Sequence, residues 1–189
     1  MSSRRHGICG ALALIALAFG SGTAAKAASA PDWLTEVARA PVTVAAKEAD
    51  AVVLLTETFL DVERDGDRSQ RTRLAVKVLN ADGRRHARAV VHYLSGSSQV
   101  AAFKAWIIKP DGQVIQLGKK DVADAAVHTN ALELYGEQRM QLITGSGDAQ
   151  PGCIFGAEAT VRGSTIINQV VWRFGDDLPV ERSRFALRL

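Results

Sequence analysis

Cysteine is almost missing from this 189-residue chain, which has two. Cys9 lies in an N-terminal leader, so Cys153 is the one thiol expected in the mature protein. One thiol cannot close a loop within its own chain. A disulfide scaffold is therefore excluded even in a compartment that permits one, and the fold must rest on a packed core. Long apolar runs are missing too. "ICGALALIALAF" (8–19) has 12 residues, well short of the ~20 a membrane-spanning helix needs. Arg4 and Arg5 precede it and the small residues of "SGTAAKAASA" follow it, as in a secretory signal. Cleavage is expected after Ala27 or Ala30, which makes 1–30 a signal peptide and the product periplasmic or secreted, with no integral membrane span left. Cys9 precedes the apolar core, so it is not the lipidated Cys of a lipoprotein signal.

Excess charge is also lacking. The formal charge is +3, with 23 basic and 20 acidic residues. Arg4, Arg5 and Lys26 belong to the leader, which leaves 20 of each sign from Pro31 onward. Nucleic-acid binding needs a cationic surface to neutralise phosphates, so a nucleic-acid partner is excluded. Histidine is scarce, with four in the chain. His86 and His92, six apart on one presumed strand, would share a face about 20 Å apart at ~3.3 Å per residue, too far for one metal. His128 stands alone. Asp176 and Asp177 could offer carboxylates to Ca²⁺, but adjacent acids are ordinary turn residues. No phosphate-cradling glycine loop, Ser-centred elbow or paired-Cys metal site is present. No catalytic, cofactor-binding or metal residue is assigned, and no cofactor is expected.

What is abundant is alternation. Residues 31–49 form a lead-in, where "DWLTEVAR" sets Trp33, Leu34 and Val37 on one side of a two-turn helix, with Asp32 as its cap and Pro41 closing it. From 50 to 189 the dominant period is two. In "FLDVERDGDRSQRTRLAVKVL" a hairpin turns at Asp65-Gly66. Leu74, Val76 and Val78 oppose Arg73, Ala75 and Lys77. "HARAVVHYL" begins another strand. "VAAFKAWIIKPDGQVIQL" is a second hairpin with Pro110-Asp111-Gly112 at its tip. "KKDVADAAV" is a bend or short helical turn, and one strand is expected around 139–144. Three more runs follow, "IFGAEATVR", "QVVWRF" and "ERSRFALRL". In the first, Phe155, Ala157, Ala159 and Val161 share a face. One-sided alternation marks antiparallel strands with a dry and a wet face. The expected fold is all-β, an antiparallel sandwich or strongly curved two-layer sheet of about eight or nine strands, with a short helical lead-in. About 140 residues suffice, since such a domain buries roughly 68–70% of its unfolded surface. Alternation runs to Leu189 with no turn after it, a weak sign of truncation.

Cys153 poses the sharpest chemical question. A nucleophilic thiolate needs a helix N-terminus, a cation or an imidazole beside it. Cys153 instead opens an alternating strand, where a small buried thiol is the ordinary role. The rival is a thiol enzyme or redox centre using Cys153. A third class is a small-ligand or glycan-binding envelope protein using Trp106, Trp172 or Tyr135.

Three stretches, "AWIIKPDGQVIQLGKKDV" (105–122), "PGCIFGAEATV" (151–161) and "VVWRFGDDLPVERSRFALRL" (170–189), stand in the order typical of one family. The chain from 50 to 189 resembles the bacterial domain of unknown function 3857, an exported β-rich domain commonly found before a transglutaminase-like domain. Cys153 occupies the position where that family has a small apolar residue, and "FGAEATV" is plainer than the family pattern. The resemblance implies a non-catalytic accessory or recognition module whose transglutaminase-like catalytic residues match no position here. It implies no enzyme activity of the chain's own. The partner expected is a transglutaminase-like or other envelope protein, docked at an exposed sheet edge left by the last strand.

Overall fold

In the computed structural model of the protein, the described residues are 28–44, 48–127, 138–164, 171–175 and 177–189. The leader and its cleavage sites, His128, Tyr135, Val170 and Asp176 lie outside them. Helix α1 (Asp32–Arg39) buries Leu34 and Val37, three apart on one face. The residue before it is Pro31, whose fixed φ suits a helix entry. Asp32 sits in the first turn and caps nothing, because Pro31 holds the cap position and no side chain bonds there. That corrects the expected Asp32 cap. Trp33 is half-buried at the rim of the helix contact.

The strands of the larger sheet are β1 (Ala51–Val62), β2 (Asp67–Val78), β4 (Ser98–Ile108), β5 (Val114–Leu117), β8 (Ile154–Ser164) and β9 (Ser183–Arg188), in the order β5-β4-β8-β2-β1-β9. Both expected hairpins form. Gly66 and Gly112 take φ of +90° and +85° at their tips, where a side chain would be strained. β9 pairs with β1 in parallel, from Thr56↔Ser183 to Asp61↔Arg188, whereas antiparallel strands were expected throughout. Its direction is set just upstream. Val53 N donates to Pro179 O, Glu181 N to Val53 O, and Thr56 N to Arg182 O, so the chain enters β9 already running alongside β1.

The smaller sheet has β3 (Arg88–Leu94), β6 (Val122–Ala126) and β7 (Gln138–Thr144), in the order β3-β7-β6. It lies over the β4–β8 half of the larger sheet. Ala89, Val91 and Ile143 there pack against Phe103, Ala105, Ile107, Phe155, Ala157 and Ala159. The face shared by Phe155, Ala157, Ala159 and Val161 is this interface. Two layers and, among the described residues, nine strands make the fold all-β and sandwich-like, as its alternation implied.

Several local expectations change. "KKDVADAAV" is a 3-10 turn (Lys119–Asp121) that runs into strand β6. Residues 171–174, the described part of the expected "QVVWRF" run, carry no strand. His86 ends a 3-10 turn (Asp82–His86) and is not on β3, so it shares no strand face with His92. Ala75, placed on the wet side of β2 by alternation, is fully buried because α1 covers that side. On the same side, a Cβ at Gly156 would run into the Leu34 side chain. The larger sheet is thus buried on both faces at one end.

Candidate binding groove and the buried thiol

Cys153 follows Gly152, whose φ of +87° turns the chain into β8. It is 1% exposed, within the cluster that holds Val78, Ile107 and Phe155. Its Sγ accepts a hydrogen bond from the Gln150 N–H at 3.3 Å. Its N–H donates to Gln150 O and its carbonyl accepts from Val78 N–H. The backbone around this thiol is spent on closing a turn, and the sulfur fills core. Among the described residues, no group of three or more His, Cys, Asp or Glu side chains gathers as metal ligands would.

Of the aromatics considered for ligand stacking, Trp106 is 7% exposed and packs beneath α1. It is core. Trp172 packs at a tilt against Phe185 of β9, with ring centroids 5.7 Å apart, and meets Phe174 edge-on at 6.3 Å. Val171 and Phe174 flank Trp172 in the chain and stand exposed, as do Leu187 of β9 and Leu189 beyond it. β9 is the outermost strand of its sheet, so this apolar cluster borders a sheet edge.

The helix side of the larger sheet changes character past the reach of α1. Arg184, Glu57, Arg73, Glu158 and Lys104 are successive register partners across five strands, alternating in sign. Glu57, at 5% exposure, receives Arg184 Nη1 at 3.2 Å and Arg73 Nη1 at 3.5 Å, while Arg73 Nε donates to Glu158 at 2.6 Å. The guanidinium carbons of Arg71, Arg73 and Arg184 lie 4.8 to 5.9 Å from the Phe59 ring centroid. Phe59 thus carries cations on its ring. This ladder is self-paired, which makes it structural.

The inner face offers a different surface. Along β2 the inward positions run Val78, Val76 and Leu74, then change to Thr72, Gln70 and Arg68. These last three are half-buried, and no side-chain hydrogen bond or ion pair engages them among the described residues. Here the two sheets part, leaving a groove of about 460 Å³. Arg68, Gln70, Thr72 and Val161 form one wall and residues 90–94 of β3 the other, with Ser98 and Gln138 at its ends. Such a volume is within the range of small-ligand sites. The alternation of β2 carried the signal for this groove, because polar residues continue the inward series.

The sequence profile of the family described as a domain of unknown function with a solved structure, DUF3857, matches residues 64–189. No curated protein matches. Among solved structures, a putative protease from Parabacteroides distasonis ATCC 8503 aligns at 7% identity with a TM-score of 0.54, covering 61% of this chain and 23% of its own. That likeness is one of fold. A CBM3a-L domain from scaffoldin cipA of the Clostridium thermocellum cellulosome aligns at 11% identity and a TM-score of 0.37, over 65% of this chain and 70% of its own. An M1 zinc metallopeptidase from Deinococcus radiodurans aligns at 18% identity and 0.32, over 69% and 24%. The chain spans about a quarter of the length of the first protein named.

Proposed function

The chain belongs to the DUF3857 family, and from that premise we propose that it is an exported, non-catalytic β-sandwich module that recognises an envelope protein at the outer edge of β9. A transglutaminase-like protein is the partner the family resemblance favours. The observation that carries this is the chemistry of that edge. β9 has one neighbour, β1, among the described residues, so its other backbone edge is available for strand addition. Its two sides differ. Arg184 and Arg188 turn to the helix side and are held by Glu57 and Asp61, the latter at 2.6 Å. Phe185 and Leu187 turn to the other side, next to Val171, Phe174 and the Trp172 ring. An added strand would find main-chain hydrogen bonds and an apolar border together.

The test is retention of purified envelope proteins on the immobilised chain, compared with Leu187→Glu and Phe174→Glu. A protein retained by the parent and lost with both variants supports β9 as the docking edge. Identical retention profiles overturn it. Export is checked by fusing residues 1–30 to a phosphatase active only outside the cytoplasm. An inactive fusion removes the exported half of the proposal.

The thiol-enzyme alternative meets a physical obstacle, since a substrate must reach a sulfur that is 1% exposed. Iodoacetamide labelling decides it. Alkylation that waits for denaturant supports a packing role for Cys153, and rapid labelling of the folded chain supports the enzyme.

A further inference from the structure

Among the described residues, the outer edge of β3 in the smaller sheet is left open from Val90 to His92. In β3, Ala87 O accepts from Gly145 N–H, which extends the β3–β7 ladder by one pair. Both backbone groups of a residue in an antiparallel strand point the same way, and the direction alternates. Ala89, Val91 and Tyr93 therefore bond to β7, while Val90, His92 and Leu94 point outward. Leu94 confirms the parity, since its N–H donates to Ser98 Oγ at 2.9 Å and its carbonyl accepts from that hydroxyl and from Ser97 N–H. Val90 and His92 keep outward N–H and C=O groups with no partner among the described residues.

Edge strands are commonly blunted by lysine, proline, a bulge or a covering element. β3 has no lysine or proline, and its register with β7 runs unbroken from Arg88↔Thr144 to Leu94↔Gln138. The groove lies along residues 90–94, opposite Arg68, Gln70 and Thr72. Those three alternate residues stand about 6.6 Å apart, at ~3.3 Å per residue, which is also the side-chain repeat of any strand laid beside β3. Arg68 is the one charged side chain of the three, and no carboxylate pairs with it among the described residues.

We infer that this groove binds an extended acidic peptide, which adds as a strand to the free edge of β3 and sets an inward carboxylate against Arg68. Alternating backbone donors and acceptors at strand spacing fit another strand better than a small metabolite. The unpaired guanidinium selects an acidic side chain, which it can engage with two parallel hydrogen bonds. The open groups of Val90 and His92 stand about 6.6 Å apart at ~3.3 Å per residue, so about three peptide residues pair with the edge and the rest of a short peptide flanks them. The site is separate from β9, and this inference stands whether or not β9 docks a partner.

The probe is a fluorescein-labelled pentapeptide of sequence TVEVT, titrated against the full chain by fluorescence anisotropy. Saturable binding is expected, weakened about tenfold or more by Arg68→Ala and equally by changing the peptide to TVKVT. Methylating alternate peptide nitrogens should abolish it in the register that removes the edge hydrogen bonds. Val90→Pro should also abolish it without unfolding, because that N–H bonds nothing in the free protein and edge strands tolerate proline. Circular dichroism checks the variant's fold, and the methylated peptides test the edge with no variant at all. No saturable binding of TVEVT overturns the proposal, as do equal affinities for TVEVT and TVKVT. Concentration-dependent dimers that TVEVT fails to dissolve would assign the edge to a second copy of the chain and also overturn it.

Discussion

Glu57 and Gly156 show how single residues hold the helix side of the large sheet. Glu57 is a carboxylate at 5% exposure, kept there by the guanidinium groups of Arg73 and Arg184. Removing it leaves two cations facing each other beside Phe59, so Glu57→Ala is expected to cost about 1–3 kcal/mol, read as a lower urea midpoint with an unchanged slope. Gly156 owes its place to contact, since a Cβ there would overlap the buried Leu34 side chain. Gly156→Ala should cost roughly 1–3 kcal/mol by overpacking, and a thermal midpoint equal to the parent's would contradict the close approach of α1. Neither role was legible along the chain. The pair Glu57–Arg73 lies within one hairpin and follows from its register. Arg184 is 127 positions away, and α1 meets β8 only through the fold.

Among elements, the lead-in is tied down by one carboxylate. Glu181 accepts from Thr43 Oγ1 at 2.5 Å and from the Thr43 and Val44 N–H groups at 2.9 and 3.0 Å. The Thr43 hydroxyl first, then the Val44 and Thr43 amides, hold its pKa below the ordinary glutamate value. A lowered carboxylate stabilises the fold at pH above its unfolded value, ~4.3 for Glu, and loses that contribution as pH falls through its lower folded value. Amide exchange at Thr43 and Val44 should therefore quicken as pH drops below about 4.3, after correction for intrinsic rates. Glu181→Gln should remove the pH dependence, and a dependence that persists in that variant would refute the clamp. A second carboxylate acts within the smaller sheet. Asp124 of β6 accepts from Gln141 of β7, from Tyr93 of β3 and from Arg139 of β7, and in that order they lower its pKa. One side chain so joins all three strands.

Across the whole molecule, sheet position should rank stability. β2 and β8 lie at the centre of the larger sheet, two strands in from either edge, while β9, β5, β3 and β6 are outermost in their sheets among the described residues. Hydrogen exchange should find the amides of β2 and β8 slowest, and the outward amides of β3 among the fastest within strands. Slow exchange at Val90 and His92 in the free protein would mean that their edge is already occupied. The same ranking shows why the elements were readable and their assembly was not. Alternation located β2, β3, β4, β5, β8, β9 and the hairpin end of β1, and one strand was expected where β7 lies. It failed over the described residues of "QVVWRF", where Trp172 packs its ring against Phe185 instead of pairing as a strand. It also misjudged Ala75, where a helix dries the second face.

The sequence by itself determined the all-β class, both hairpins, the α1 helix and the core face of β8, because turn chemistry and side-chain periodicity are local. Tertiary structure alone decided that β9 runs parallel to β1, that the described strands divide into sheets of six and three, and that polar residues of β2 face an edge of β3 left open among the described residues. These depend on which strands meet, and contacts between residues far apart in the chain leave no periodic trace along it.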